Sequence, residues 1–175
     1  MLDVNRIPTS MIVGLCLSML SILYGFALGG AFGLGEKAIK DHLSQSGMEV
    51  MDSVYKGDAA AKDAVVTKSW DYLKRAHLHG GAIGAAGVGV ILAMIVLCKP
   101  TPLAGLCSVA FGSGAIIYSV FWLLAGLIAP RMGSTGAAKE ALSFIAIPGA
   151  GLTLFGLTGA MILIARDALI KPTQA

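Results

Sequence analysis

The chain has 175 residues, of which 56% are hydrophobic and only 13% charged, with a mean hydropathy of +0.79. A soluble domain carries roughly a quarter charged residues, so this composition points to a membrane protein. The formal net charge of +3 is small and spread along the chain, which excludes a nucleic-acid partner, and three cysteines without a Cys-x-x-Cys pair make no disulfide framework.

A short polar tail ends near Ser10. No residue from Ile7 to Gly35 is charged, a stretch longer than the ~20 residues that a helix needs to cross a bilayer. It is too long for the core of a signal peptide. The first transmembrane helix is expected at about 10–35. Gly25, Gly29 and Gly33 recur every fourth residue along it, a small-residue stripe that lets another helix backbone approach.

Residues 36–76 form the only long polar segment, read as a helical cap. Seven Lys/Arg and seven Asp/Glu make its charged part neutral. Glu36–Lys40, Asp58–Lys62 and Asp71–Arg75 stand at i,i+4 spacing in the favourable orientation. Gly47 and Gly57 mark interruptions, and Asp58 suits the N-cap of the next helix. Val66, Trp70 and Leu73 share one face. The expected picture is that helices 1 and 2 extend out of the membrane and are joined by a helical crosspiece. Trp70 and Tyr72 are expected to anchor it at the headgroup level.

The second transmembrane helix is expected at about 78–98, with no charge between His79 and Lys99. At 100° per residue Gly80, Gly84 and Gly87 share one face, while Ala82, Ala86, Gly89 and Ala93 lie nearly opposite. A helix with two small-residue faces is expected at the centre of the bundle. The Lys99-Pro-Thr-Pro102 turn leads to a third helix at about 103–129, closed by Pro130. Tyr118 and Trp122 are i,i+4 neighbours on it. A glycine-containing loop, 131–139, precedes a fourth helix at about 140–165, in which Pro148, Gly149 and Gly151 predict a kink or an opened backbone.

The reading is an all-α integral membrane protein, a four-helix bundle with both ends and the Lys99 turn on one side. That side carries four Lys/Arg (Arg6, Lys99, Arg166, Lys171), and the opposite loops carry nine. The count leans towards a cytoplasmic cap, in what is expected to be a bacterial inner (cytoplasmic) membrane. Cys16, Cys98 and Cys107 read as small apolar residues.

The candidate chemistry lies at His77 and His79. On a regular helix they point about 200° apart and cannot share a metal. On an extended start to the helix they could chelate one, with His42, Asp71 or another chain completing the site. Haem, copper or a quinone are cofactors possible only with ligands or contacts from a partner. No carboxylate falls within the expected membrane core, which argues against a pump working alone. No phosphate loop, catalytic triad or zinc-protease motif is present.

Ala76-His77-Leu78-His79-Gly80, with Gly84 four residues on, opens the second helix of this four-helix chain. In this it resembles the small tetraspan proteins of the hydroxylaminobenzene mutase type, where a His-Leu-acid-Gly element opens the second helix. The resemblance implies a shared architecture, with His77 as the one corresponding residue, and does not by itself assign the activity. His79 stands where that family has an acid, a following asparagine is missing, and the 36–76 cap is extra. Three functions follow. The first expected is a structural or interaction subunit of a larger membrane complex or homo-oligomer. The others are a redox-associated subunit contacting haem, metal or quinone through His77 or His79, and a small mutase-like enzyme.

Overall fold

The computed structural model describes residues 7–169. Among them every element is helical: α1 (Thr9–Met48), α2 (Ala59–Leu97), α3 (Pro102–Met132), α4 (Thr135–Ala141) and α5 (Ser143–Leu169). Four of these, all but α4, are long and apolar enough to cross a membrane. Arg6 and Lys171, two of the charges used to orient the chain, lie outside the described residues.

α1 follows Pro8 and runs through the uncharged stretch until Gly35, whose φ of −120° and ψ of 15° break the regular helix. Beyond this kink it continues as a polar helix, with Lys40 paired to Glu36 and Lys37 to Asp41. The helical crosspiece expected between helices 1 and 2 is absent. Residues 49–58 form a run of turns instead: the Val54 and Tyr55 N–H groups bond back to Val50 and Met51, and Lys56 and Gly57, with left-handed φ values of 55° and 80°, close that turn before Asp58. Gly47 does not interrupt α1, which extends past it.

Asp58 caps α2 by accepting from the Ala61 N–H at 2.9 Å. From there α2 is a single helix through the polar segment and the apolar one, so the His-x-His region is helical, not extended. Two of the three predicted ion pairs change partner. Lys62 pairs with the adjacent Asp63, and Asp71 pairs with Lys74 at 2.7 Å, one residue short of Arg75.

Thr101 and Pro102 start α3, with the Thr101 hydroxyl accepting from the Ala104 N–H. Pro130 does not end it. The helix continues to Met132 and stops at Gly133, a left-handed residue with φ 71°. The expected 131–139 loop is largely α4, capped by Ser134. The expected break at Pro148 is displaced to Leu142 (φ −102°, ψ 13°), between α4 and α5. Pro148 lies in the second turn of α5, where its ring removes only the bond to the Phe144 carbonyl, and the helix runs through it.

The centre of the bundle is α3, not α2. α3 packs against α1, α2 and α5, and half of its most apolar window is buried, against 28% in α1 and α2 and 22% in α5. Its glycines face all three neighbours. A Cβ added at Gly112 would lie 2.6 Å from the Gly14 carbonyl oxygen of α1; one at Gly126, 2.9 Å from the Ser69 oxygen of α2; one at Gly114, 2.5 Å from the Thr153 nitrogen of α5. Such contacts let backbones meet and gather dispersion energy along the whole crossing. On α2 the second small face stays uncovered. Ala82, Ala86 and Gly89 are exposed, and Ala93 is half-buried.

At the polar end the 49–58 turns dock onto the end of α3. The Tyr55 hydroxyl donates to the Pro130 carbonyl at 2.6 Å, and Arg131 pairs with Glu49 at 2.6 Å. The Lys62 stem is buried against Gly47.

Candidate functional site between the histidines and the aromatic cluster

Residues seven apart on a helix return to nearly the same side. On α2 this gives two rows. Trp70 and His77 face α1; Tyr72 and His79 face α3.

In the first row, His77 Nδ1–H donates to the Gly25 carbonyl of α1 at 2.7 Å. The ring lies where a side chain on Gly29 would be, since a Cβ there would fall 2.7 Å from His77 Cε1. Phe32 meets the edge of His77 with centroids 6.4 Å apart and of Trp70 at 5.3 Å. Lys40 lies over the Trp70 ring. Trp70 packs with Phe32, Leu43 and Leu73, together with Val66.

In the second row, Tyr72 is 2% exposed and packs edge-on against Trp122 of α3 at 4.8 Å. Tyr72 is therefore a core residue and not the headgroup anchor expected of it, and Trp70 is half-buried against α1. Both rings turn inwards because the polar half of α2 stays packed against α1 and α3. His79 Nδ1–H donates to the Arg75 carbonyl of its own helix at 2.8 Å. Its ring lies 5.3 Å from Tyr118 and 5.9 Å from Trp122, centroid to centroid. Arg75 completes the cluster, its guanidinium carbon 5.3 Å from the Tyr72 centroid and 5.0 Å from that of Trp122. Trp122 is 9% exposed, and its indole N–H has no acceptor among the described residues.

Both imidazoles point Nδ1 at a backbone carbonyl, so Nδ1 carries a proton in each. A metal shared by the histidines is overturned. His77 and His79 face different helices, and His42 is exposed on the polar part of α1. Among the described residues no three His, Cys, Asp or Glu side chains gather as a metal site requires. The Ala76–Gly80 element that carries the family resemblance lies in the middle of α2 and not at a helix start.

The glycines proposed for helix packing divide. Cβ atoms at Gly25, Gly80, Gly84 and Gly87 would meet the backbone or side chains of a neighbouring helix within 3.2 Å, and Gly29 holds the imidazole. Gly33 and Gly89 face open space. Above Gly29 the His77, Phe32 and Trp70 rings fill the gap between α1 and α2, so the stripe ends one member early. Sequence reasoning missed Arg75 as part of a site, because it assigned the side chain to Asp71. Its spacing, three residues after Tyr72 and four before His79, was the available signal. Searches against protein-family profiles, curated proteins and solved structures find no match for this chain.

Proposed function

We propose that the protein is an integral membrane subunit in which α1, α2, α3 and α5 cross the bilayer and α2 presents a docking face to a further membrane helix. The large apolar side chains left exposed around the bundle support the membrane reading. Leu20, Leu23, Phe26, Val96, Leu154, Met161 and Ile162 would be an aggregation surface in water. The four crossings put the turns at 49–58 and α4 on one side and the Lys99 turn on the other.

The observation that carries the subunit reading is the face of Ala82, Ala86 and Gly89. The glycines on the opposite face of α2 are pressed against α1 and α3, while this face has no neighbour among the described residues. In lipid, apolarity alone does not bring helices together. Smooth small-residue faces do, through close packing. The occupant is another membrane chain or a second copy.

The test is native mass spectrometry and gel filtration of the full chain, extracted in mild detergent from the membrane that expresses it. The wild type is expected to leave with a stoichiometric partner or as an oligomer, and Ala86→Leu/Gly89→Leu to leave as a folded monomer. A wild type that is already a lone monomer refutes the reading.

A further inference from the structure

We propose that Arg75, held on the Tyr72 and Trp122 rings, binds the phosphodiester of an anionic phospholipid. The inference rests on the reading that α2 and α3 cross a membrane.

The acid that would neutralise Arg75 is engaged elsewhere. Asp71, one turn earlier, pairs with Lys74, and Arg75 makes no ion pair among the described residues. Its guanidinium carbon is held in the corner between the Tyr72 and Trp122 rings, which meet at 83°, and the side chain stays exposed. The five N–H donors of arginine form a planar fork that matches two oxygens of one phosphate. The rings also restrict the side chain, so less freedom is lost when an oxyanion binds. An uncharged helix and a free guanidinium thus meet at one level. After Arg75 the next Lys, Arg, Asp or Glu is Lys99.

The surroundings favour a lipid over a free phosphate. Leu78, three residues along α2 from Arg75, is 60% exposed. Leu142, Ile145 and Ala146 pack on the aromatic cluster, which turns Phe144 and Ile147 of α5 outwards, 69% and 71% exposed. Acyl chains descending from a phosphate at Arg75 meet these apolar side chains.

Trp122 can report the event. The chain has two tryptophans, so Trp70→Phe leaves it as the only indole. This full-length variant is reconstituted into phosphatidylcholine vesicles containing equal fractions of acyl-brominated phosphatidylglycerol or acyl-brominated phosphatidylcholine, and quenching of Trp122 is measured. The anionic lipid is expected to compete for the site about fivefold better, the effect of one interfacial cation. Arg75→Gln should bring that ratio to about one, Arg75→Lys should leave an intermediate ratio, and Lys74→Gln should leave it unchanged. Inorganic phosphate, added at the headgroup concentration, should not alter it. Equal quenching by the two lipids overturns the headgroup site alone. So does an equal loss of preference in Lys74→Gln, which reports general surface charge, or competition by inorganic phosphate, which reports a soluble ligand. Quenching by neither lipid overturns the membrane reading beneath it.

Discussion

Gly29→Ala is the sharpest probe of how α1 and α2 are joined. The new methyl group would sit 2.7 Å from His77 Cε1 and 3.0 Å from Nδ1, so the ring must move. It cannot do so and keep its 2.7 Å bond to the Gly25 carbonyl. Overpacking of this kind costs about 1–3 kcal/mol. The displaced hydrogen bond adds about 0.6 kcal/mol, the average for a bond between helices in a membrane. Against this, replacing glycine by alanine inside a helix gains about 0.5–1 kcal/mol. Gly29→Ala alone should therefore destabilise by about 0.5–3 kcal/mol, the balance of these terms. In a His77→Ala background there is no ring to meet, and the same substitution should stabilise. Equilibrium unfolding in mixed micelles, followed by far-ultraviolet circular dichroism, reads both. The coupling between the two sites should be about 2–4 kcal/mol, the overpacking and hydrogen-bond terms together. Gly33→Ala is the control, because nothing lies within 4 Å of its added Cβ, and it should stabilise equally in either background. A Gly29→Ala effect that is the same with and without His77 would refute the seating of the imidazole on Gly29.

Gly112→Ala should cost more than Gly29→Ala, because its methyl group meets the Gly14 carbonyl oxygen at 2.6 Å and backbone cannot swing aside; the same unfolding assay measures it, and a neutral result would mean that α1 and α3 are further apart. Tyr55→Phe removes the hydroxyl donated to Pro130 and should cost about 1 kcal/mol at neutral pH. Burial raises the Tyr55 phenol above its ordinary value of 10, so the folded chain keeps a proton that the unfolded chain loses. That contribution is complete below pH 10 and declines as pH rises through the folded value. Wild type should lose stability relative to Tyr55→Phe over this alkaline range, and parallel pH profiles would count against the buried hydroxyl.

Long uncharged runs made the four apolar helices readable, and Asp58, Pro102 and the Lys99 turn placed ends that the structure keeps. What could not be read was which face finds a neighbour. α2 has small residues on two sides, and counting them put it at the centre. The decision belonged to Gly105, Gly112, Gly114 and Gly126 of α3, which meet three different partners. Ion pairs were unreadable for a similar reason. Asp71 is within one helical turn of both Lys74 and Arg75, and the choice depends on where Tyr72 and Trp122 draw the guanidinium. Pro130 and Pro148 were over-read as breaks. A proline in the last turn or the second turn of a helix costs a single bond, and the chain turns instead at Gly133 and Leu142.

The two histidine rows separate stability from recognition. His77 spans two helices, and its Nδ1 proton finds an acceptor in the Gly25 carbonyl, which takes it on the oxygen's second lone pair. His79 bonds to its own helix, so it adds nothing to the joining of α2 and α3 except the packing of its ring. Arg75 shares the second row and has its donors unspent. Perturbing Gly29 or His77 should then change the unfolding midpoint and leave the lipid preference of the folded protein as it was. Substituting Arg75, exposed and without an ion pair among the described residues, should do the reverse, with a loss of stability of no more than about 1 kcal/mol for its ring contacts. The chain would thus carry its structural and its recognising polar groups on two faces of one helix, and the same division keeps His77 and His79 from sharing a metal.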